Sequence, residues 1–350
     1  MKGRPLNIST ILTVTLLAAG LWVVTAAAGL LVGSTDLGGA DLLWRWMGGE
    51  LSAIEEAILY RARLPRVIFA GLVGASLAVG GAVFQAVLRN PLADPYILGI
   101  SGGAALGGTL VLVLGSVTVG AVVMGTPVGA FFGALAALSV IFGVERWAPP
   151  GRASTYVLLL TGVIVNAFAA SLIMFLQSVV TARKAQEILF YLMGALSVEG
   201  TPGPITIAVA AVTFLSVLII YRFAPELNVL SLGDDDAAYL GVDVDRVRRI
   251  TVVVASFAVA IAVAFSGIIG FVGLIVPHAV RLIVGPDHRL LLPACIFGGA
   301  AFLTFADMLA RGGFAILGTT LPVGVLTSLI GAPLFLYFLW RSLKGTGGWQ

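Results

Sequence analysis

Charge is what this chain has least of. Of its 350 residues only 11% are Asp, Glu, Lys or Arg, against about 25% in soluble domains. So few charges cannot clothe a water-facing surface, which excludes an ordinary soluble globular protein. Lysine is nearly missing: Lys2, Lys184 and Lys344 are the whole set. None closes a Gly-x-x-x-x-Gly-Lys-Ser/Thr loop, so ATP hydrolysis by that machinery is excluded and no catalytic residue is assigned. With two histidines and one cysteine, an internal disulfide and a multi-cysteine metal site are out of reach. His278 and His288 lack a surrounding carboxylate set, and no metal site is expected. Cys295 lies in Pro-Ala-Cys-Ile-Phe and reads as an inert buried thiol. Acid at mid-membrane is missing too: Asp307 falls near a helix end, beside Arg311. A proton- or sodium-driven carrier usually keeps such a group there.

Apolar residues are abundant, at 59% of the chain with a mean hydropathy of +1.07. The 44 glycines suit close helix packing in lipid. The expected fold is all-α: a polytopic membrane protein with ten transmembrane helices in a single domain over 1–350, embedded from about 9 to 341. At about 20 apolar residues per crossing, the spans fall at 9–33, 65–88, 97–115, 122–145, 153–179, 203–222, 249–266, 272–285, 290–310 and 321–341. Leu12 to Val32 is too long for a cleavable leader and reads as the first span. The third follows Pro91 and Pro95 so closely that it is expected to begin inside the membrane. The eighth is short and interrupted by Pro277 and His278.

With ten spans, both termini share a side. That side holds 13 of the 20 Lys and Arg residues and the other holds 7, which makes the richer side cytoplasmic. Arg61, Arg63 and Arg66 break the pattern by crowding the outer end of the second span. Two outer segments read as structured. Asp36 to Tyr60 carries Trp44, Trp46 and Tyr60 for an interfacial belt, and Arg183 to Gly200 begins as an amphipathic helix.

The densest charge lies between spans six and seven. Arg222 to Arg249 holds 10 of the chain's 37 charged residues. Within this cytoplasmic segment, about 223–248, Leu232 to Gly241 reads as a short helix. Gly233 precedes an acidic start at Asp234, favoured by the helix dipole, and Gly241 ends it. Leu232, Ala237 and Leu240 give it a small apolar face. Such a helix outside the membrane is a handle for a soluble partner.

Other motifs stay open between structure and function. Arg63 and Arg66 are either interfacial residues flanking a first-turn proline or a pair that docks carboxylates. The double-proline stretch from Gln85 to Gly103 is a loop or a constriction. Asn166, Ser171 and Gln177 in span five either bond neighbouring helices or line a polar path.

Arg63-Leu-Pro-Arg66, Arg89-Asn-Pro-Leu-Ala-Asp-Pro95, Gly270-Phe-Val-Gly-Leu-Ile-Val-Pro-His278, Gly285-Pro-Asp-His-Arg289, Leu321-Pro-Val-Gly and Gly331-Ala-Pro-Leu-Phe together resemble the FecCD family. These are permeases of type II ABC importers for cobalamin, ferric siderophores and haem. The resemblance runs from about Leu59 to Arg341. It implies a homodimer with the path between the copies, two cytoplasmic ABC ATPase subunits and a periplasmic binding protein. It implies that Leu232 to Gly241 couples to the ATPase, that Arg63, Arg66 and Arg311 dock the binding protein, and that Asn90, Leu92, Ser154 and Thr155 form the inner gate. Many relatives carry a glutamate where this chain has Thr320.

The expected function is ATP-driven import of a metal chelate across the inner membrane by alternating access. This chain binds no cofactor; ATP and magnesium belong to the partner ATPase. Its surroundings are lipid, and no nucleic acid is a partner. The alternatives are a stand-alone secondary transporter or channel, which needs an intramembrane charge or selectivity ring, and an intramembrane enzyme, which needs more than His278.

Overall fold

The computed structural model describes residues 7–33, 40–49, 51–96, 98–115, 117–119, 122–147, 153–196, 204–313 and 318–343. Lys2, Arg4, Arg152 and Lys344, counted above for orientation, lie outside these residues. So do residues 36–39, 50 and 197–200 of the two outer segments.

Apolar runs set most of the elements. α1 (Ile8–Leu31) is followed by the short α2 (Ala40–Gly48) and α3 (Ala53–Ala57). A π-helical turn, Ile58–Arg63, then leads into α4 (Leu64–Val87). Next come α5 (Ile100–Leu114), the strands β1 (Val117–Val119) and β2 (Val122–Met124), and α6 (Thr126–Glu145). α7 (Ala153–Val179) is a long span and α8 (Ala182–Leu192) a short amphipathic helix. α9 (Pro204–Arg222), α10 (Ala224–Leu230), α11 (Asp234–Tyr239) and α12 (Val244–Ser266) follow. α13 (Val272–Val284), α14 (His288–Gly312) and α15 (Val323–Leu343) complete the chain.

Among the described residues, six helical runs are long and apolar enough to cross a membrane: α1, Ala53–Val87 ending in α4, α6, α7, α12 and α14. α9 qualifies together with α10, across a bend of 59°. α5, α13 and α15 are shorter apolar helices. Each of the ten expected spans thus has its helix. Two starts move. The fourth begins at Thr126 because Val122–Met124 pairs antiparallel with Val117–Val119; β-branched residues favour the extended chain there. The third begins at Ile100, because residues 89–96 and 98–99 are irregular.

α4 is the hub. Nearly every residue from Phe69 to Val87 is buried, with α12, α13, α14 and α9 packed around it. Its small residues allow this. Gly74 lies against the Gly299 backbone of α14 and Gly81 against the Gly273 backbone of α13, with no room for a Cβ at either. α5 and α6 meet the same way, Gly103 and Gly107 facing Gly133 and Gly129. Such close approach stands in for the hydrophobic drive that lipid cannot supply.

The irregular segment lies at the depth of the spans. Pro95 touches Gly273 and lies beside Gly80, two turns inside α4. At the far end of α5, the Lys184 ammonium of α8 donates to the carbonyls of Leu112 (2.6 Å) and Val113 (3.2 Å). Those carbonyls are helix-end acceptors with no partner in their own helix.

Candidate coupling site, inner gate and arginine corner

At one end of the helices, α10 and α11 form a small charged module. Pro225 starts α10, where its missing N–H costs nothing. Asp234, Asp235 and Asp236 fill the first turn of α11. Gly241, at φ 83°, ends it. The Gly241 and Val242 N–H groups return to the carbonyls of Ala238 and Ala237, the double bond of a left-handed C-terminal cap.

The expected apolar face needs correcting. Ala237 is fully buried under the helix, whereas Leu240 is 65% exposed and Leu232 equally so. Helical spacing over so short a run cannot say which side meets the rest of the chain. The outward face also contains Tyr239, 91% exposed, which the sequence reading passed over. Its place beside Leu240 is the signal that includes it.

Ion pairs tie this module down at one point and hydrogen bonds at a second. Asp234 accepts from Arg248 Nη2 of α12 at 2.7 Å and lies 3.4 Å from Arg89 Nη2 at the end of α4. Asn228 of α10 donates to Asp287 (2.8 Å) and accepts from the His288 backbone (2.7 Å) at the start of α14. Burial pulls the Asp287 carboxyl upward. Hydrogen bonds from the Arg289 side chain and backbone, and from Asn228, outweigh it and hold the group at about 2. Beside the module, a groove of about 810 Å³ opens between α6, α11 and α12, lined by Phe142, Arg146, Asp234, Ala238 and Arg249 among others.

The inner irregular segment begins where α4 stops. Arg89 has φ 48°, and the Arg89 and Asn90 N–H groups return to Ala86 and Gln85. This is the same cap as at Gly241, built on arginine. Asn90 accepts from the Leu92 N–H at 2.9 Å and folds the chain back on itself. Leu92, Asp94 and Tyr96 then line a cavity of about 840 Å³ shared with Phe271, Ser328 and Leu329. Asn90 and Leu92 therefore share the turn that opens onto this cavity. Asp94 is a buried carboxylate at span depth that the sequence reading missed. The clue was its place between prolines in a stretch already suspected of entering the membrane.

The remaining gate and path residues scatter. Ser154 and Thr155 fall in the first turn of α7, with their side chains outside the described part. Asn166 donates to the Tyr96 carbonyl, which makes it a clamp on the irregular segment. Ser171 is exposed and bonds the Ala167 carbonyl in its own helix, and Gln177 is half-buried.

The opposite end carries the arginine corner, and here the outward docking geometry is corrected. Arg63 is 4% exposed and donates to the carbonyls of Leu30 (2.8 Å) and Leu31 (3.1 Å). Arg311, equally buried, donates to Val32 (2.7 Å) and Gly29 (2.9 Å). Between them they cover four successive carbonyls at the end of α1, groups left open by the helix geometry. Asp307 is fully buried and accepts from Arg311 Nε at 2.9 Å and Arg66 Nε at 3.0 Å. Arg66 alone of the three is partly open. The π-helical turn before Pro65 sends Arg63 inward and leaves Arg61 exposed.

Among the described residues, apolar helices packed around α4 with a charged helical module at one end define a polytopic membrane protein. The FecCD transport family model matches residues 21–341, and the chain belongs to that family. It is 45% identical over 284 residues to the cobalamin import system permease protein BtuC of Halobacterium salinarum, covering 81% of this chain and 73% of that one. To the hemin transport system permease protein HmuU of Yersinia pestis it is 38% identical, covering 91% and 94%. A solved inward-facing metal-chelate type ABC transporter superposes with a TM-score of 0.81 at 30% identity, covering 94% of this chain and 99% of that one.

Proposed function

We propose that the whole chain works as one permease domain in an ATP-driven importer of a metal chelate, such as a corrinoid, haem or ferric siderophore. Two copies enclose the path, and two cytoplasmic ABC ATPases drive them. A periplasmic binding protein delivers the cargo. The observation that carries this reading is α11. It is a capped helix with Tyr239 and Leu240 turned outward, anchored by ion pairs at the end of the spans. That is the form of a helix made to seat in a soluble partner.

The charged end is cytoplasmic in this reading, with both termini on that side, and the arginine corner faces the periplasm of an inner-membrane protein. Exposed Arg61 and Arg183 then offer charge to the binding protein, while Arg63 and Arg311 shape the rim and Arg66 does both. The outward stripe of α1, with Leu12, Leu16 and Leu17, suits lipid. On α7, Leu160, Ile164 and Phe168 face outward with Ser171, and Gln177 lies nearby. That mixture suits a path between two copies. ATP hydrolysis belongs to the partner subunits, and the chain itself holds no cofactor.

The test is reconstitution in liposomes with an ABC ATPase and a binding protein from the same organism. Labelled cobalamin, haemin and a ferric siderophore are offered in turn. ATP-dependent accumulation of one of them is expected. Uptake that proceeds without ATP and follows an imposed ion gradient would overturn the reading in favour of a secondary carrier.

A further inference from the structure

The inner turn and α11 are joined by one carboxylate. We infer that Asp234 acts as a mechanical relay: through Arg89 it makes the turn at Asn90 and Leu92 follow the position of α11. This deepens the importer reading and rests on it for its role in transport, but the link itself is a property of the chain.

Three observations converge. Asp234 faces two cations on two different elements. One is Arg248, buried in the first turns of α12, at 2.7 Å; the other is Arg89, at the end of α4, at 3.4 Å. Arg248 anchors Asp234 firmly, since a buried guanidinium has strong need of its carboxylate. Arg89, by contrast, is 40% exposed and needs no partner for its own solvation. Secondly, Arg89 holds a left-handed backbone at φ 48° in a cap position that glycine ordinarily fills. A side chain kept where glycine is more stable points to a role for that side chain. Thirdly, the residue after Arg89 is the one that makes the inner turn: Asn90 takes the Leu92 N–H on its side chain and the Ala93 N–H on its carbonyl. A pull on the Arg89 guanidinium therefore acts one residue from the turn. Asp235, Asp243, Asp245 and Arg249 line the neighbouring groove, and Asp236 and Arg89 both flank Gly233; among the described residues Asp234 is the carboxylate within ion-pair distance of Arg89. Arg248 also lies 3.8 Å from the exposed Asp245, a contact within α12 that leaves the inner turn untouched.

Asp234 is thus a positioning residue with two faces. Its role differs from that of Leu240 and Tyr239, which offer apolar surface to a partner.

The test has two arms. In the purified chain, without any partner, amide exchange is followed at Leu92 and Ala93. Asp234→Asn and Arg89→Gly are each expected to speed exchange there about tenfold, within the usual range of coupling between sites, while Arg89→Lys stays near wild type. Exchange unchanged in both variants overturns the relay. In the reconstituted complex, Arg89→Gly is expected to lower cargo moved per ATP hydrolysed about tenfold, although it relieves the backbone and raises thermal stability. Higher stability with lower coupling separates a relay from a structural contact, for which the two would fall together. A wild-type ratio in Arg89→Gly overturns the inference. Altered exchange in a chain that shows no ATP-driven uptake would remove the importer reading and leave the link standing.

Discussion

At the arginine corner, Arg63 and Arg311 turn their guanidiniums on the carbonyls of α1, and Asp307 is enclosed by Arg66 and Arg311. Little of that charge reaches solvent. At the other end Arg89 and Asp287 sit in half-exposed pairs around α10 and α11, Asp234 is held on its other side by the buried Arg248, and Tyr239 and Leu240 turn outward. Buried charge without solvent is intolerant of loss, because a broken pair leaves an ion with no alternative partner. Half-exposed charge tolerates rearrangement, because water replaces each contact as it breaks. The corner is therefore built to hold three helices in one relation, and the charged module to shift while attached.

The largest effect follows at the corner. Asp307→Ala strands two arginines and is expected to cost about 3–5 kcal/mol, seen as loss of monodisperse protein and a lower melting temperature in detergent. Arg63→Glu with Arg66→Glu should do the same, placing a carboxylate against the carbonyls of α1. A folded double variant whose only defect is weaker binding-protein docking would break the comparison and return these arginines to the outer surface.

A smaller effect on folding, with a large one on assembly, is expected at the module. Leu240→Asp and Tyr239→Ala alter exposed side chains, so stability should change by no more than about 0.5 kcal/mol. Association with the ATPase should weaken by about 2 kcal/mol or more, as for a central aromatic anchor or a carboxylate forced into an apolar groove. Co-purification and ATPase stimulation read this out beside the melting temperature. Wild-type assembly by Leu240→Asp would mean that this face is not the contact.

Much of this architecture was legible because lipid imposes simple rules. Apolar length located a helix for each expected span, of which six, or seven with the bent pair, are long enough to cross a membrane, and Gly241 marks a helix end for a reason local to its own backbone. The sequence puts Leu232, Ala237 and Leu240 on one face, and the structure exposes the two leucines and buries Ala237, since nothing local tells a six-residue helix which face its neighbours cover. Arg63, Arg66 and Arg311 were seen as charges in an unusual place. Their burial depends on the end of α1, more than 30 residues from the first and about 280 from the last. Asp94 escaped because it belongs to an irregular segment whose depth is set by Pro95 packing on Gly273, a contact across some 180 residues. Asn166 was open between bonding and lining, and its bond to Tyr96 became visible only once those two elements met.

The smallest effect concerns the second anchor of the module. Asp287 caps α14 and holds Asn228 of α10. Its carboxyl titrates at about 2, below the value of about 3.9 for a free aspartate. Because the folded value is depressed, its stabilisation is complete above the unfolded value and is lost as pH falls from there through the folded one. Asp287→Asn keeps an oxygen for Asn228 and for the Arg289 backbone, and removes the charge together with the second oxygen, which accepts from Arg289 Nη2 at 2.7 Å. That pair is partly open to solvent, so the loss should be under about 1 kcal/mol. Wild type should therefore lead the variant at neutral pH, and the lead should vanish as pH approaches about 2. Amide exchange in α10 and in the first turn of α14 is the right measure, since global unfolding in acid sums every carboxylate. A lead that is the same at neutral and low pH would mean that the junction rests on shape alone. The charged end would then resemble the arginine corner more closely than its exposure suggests.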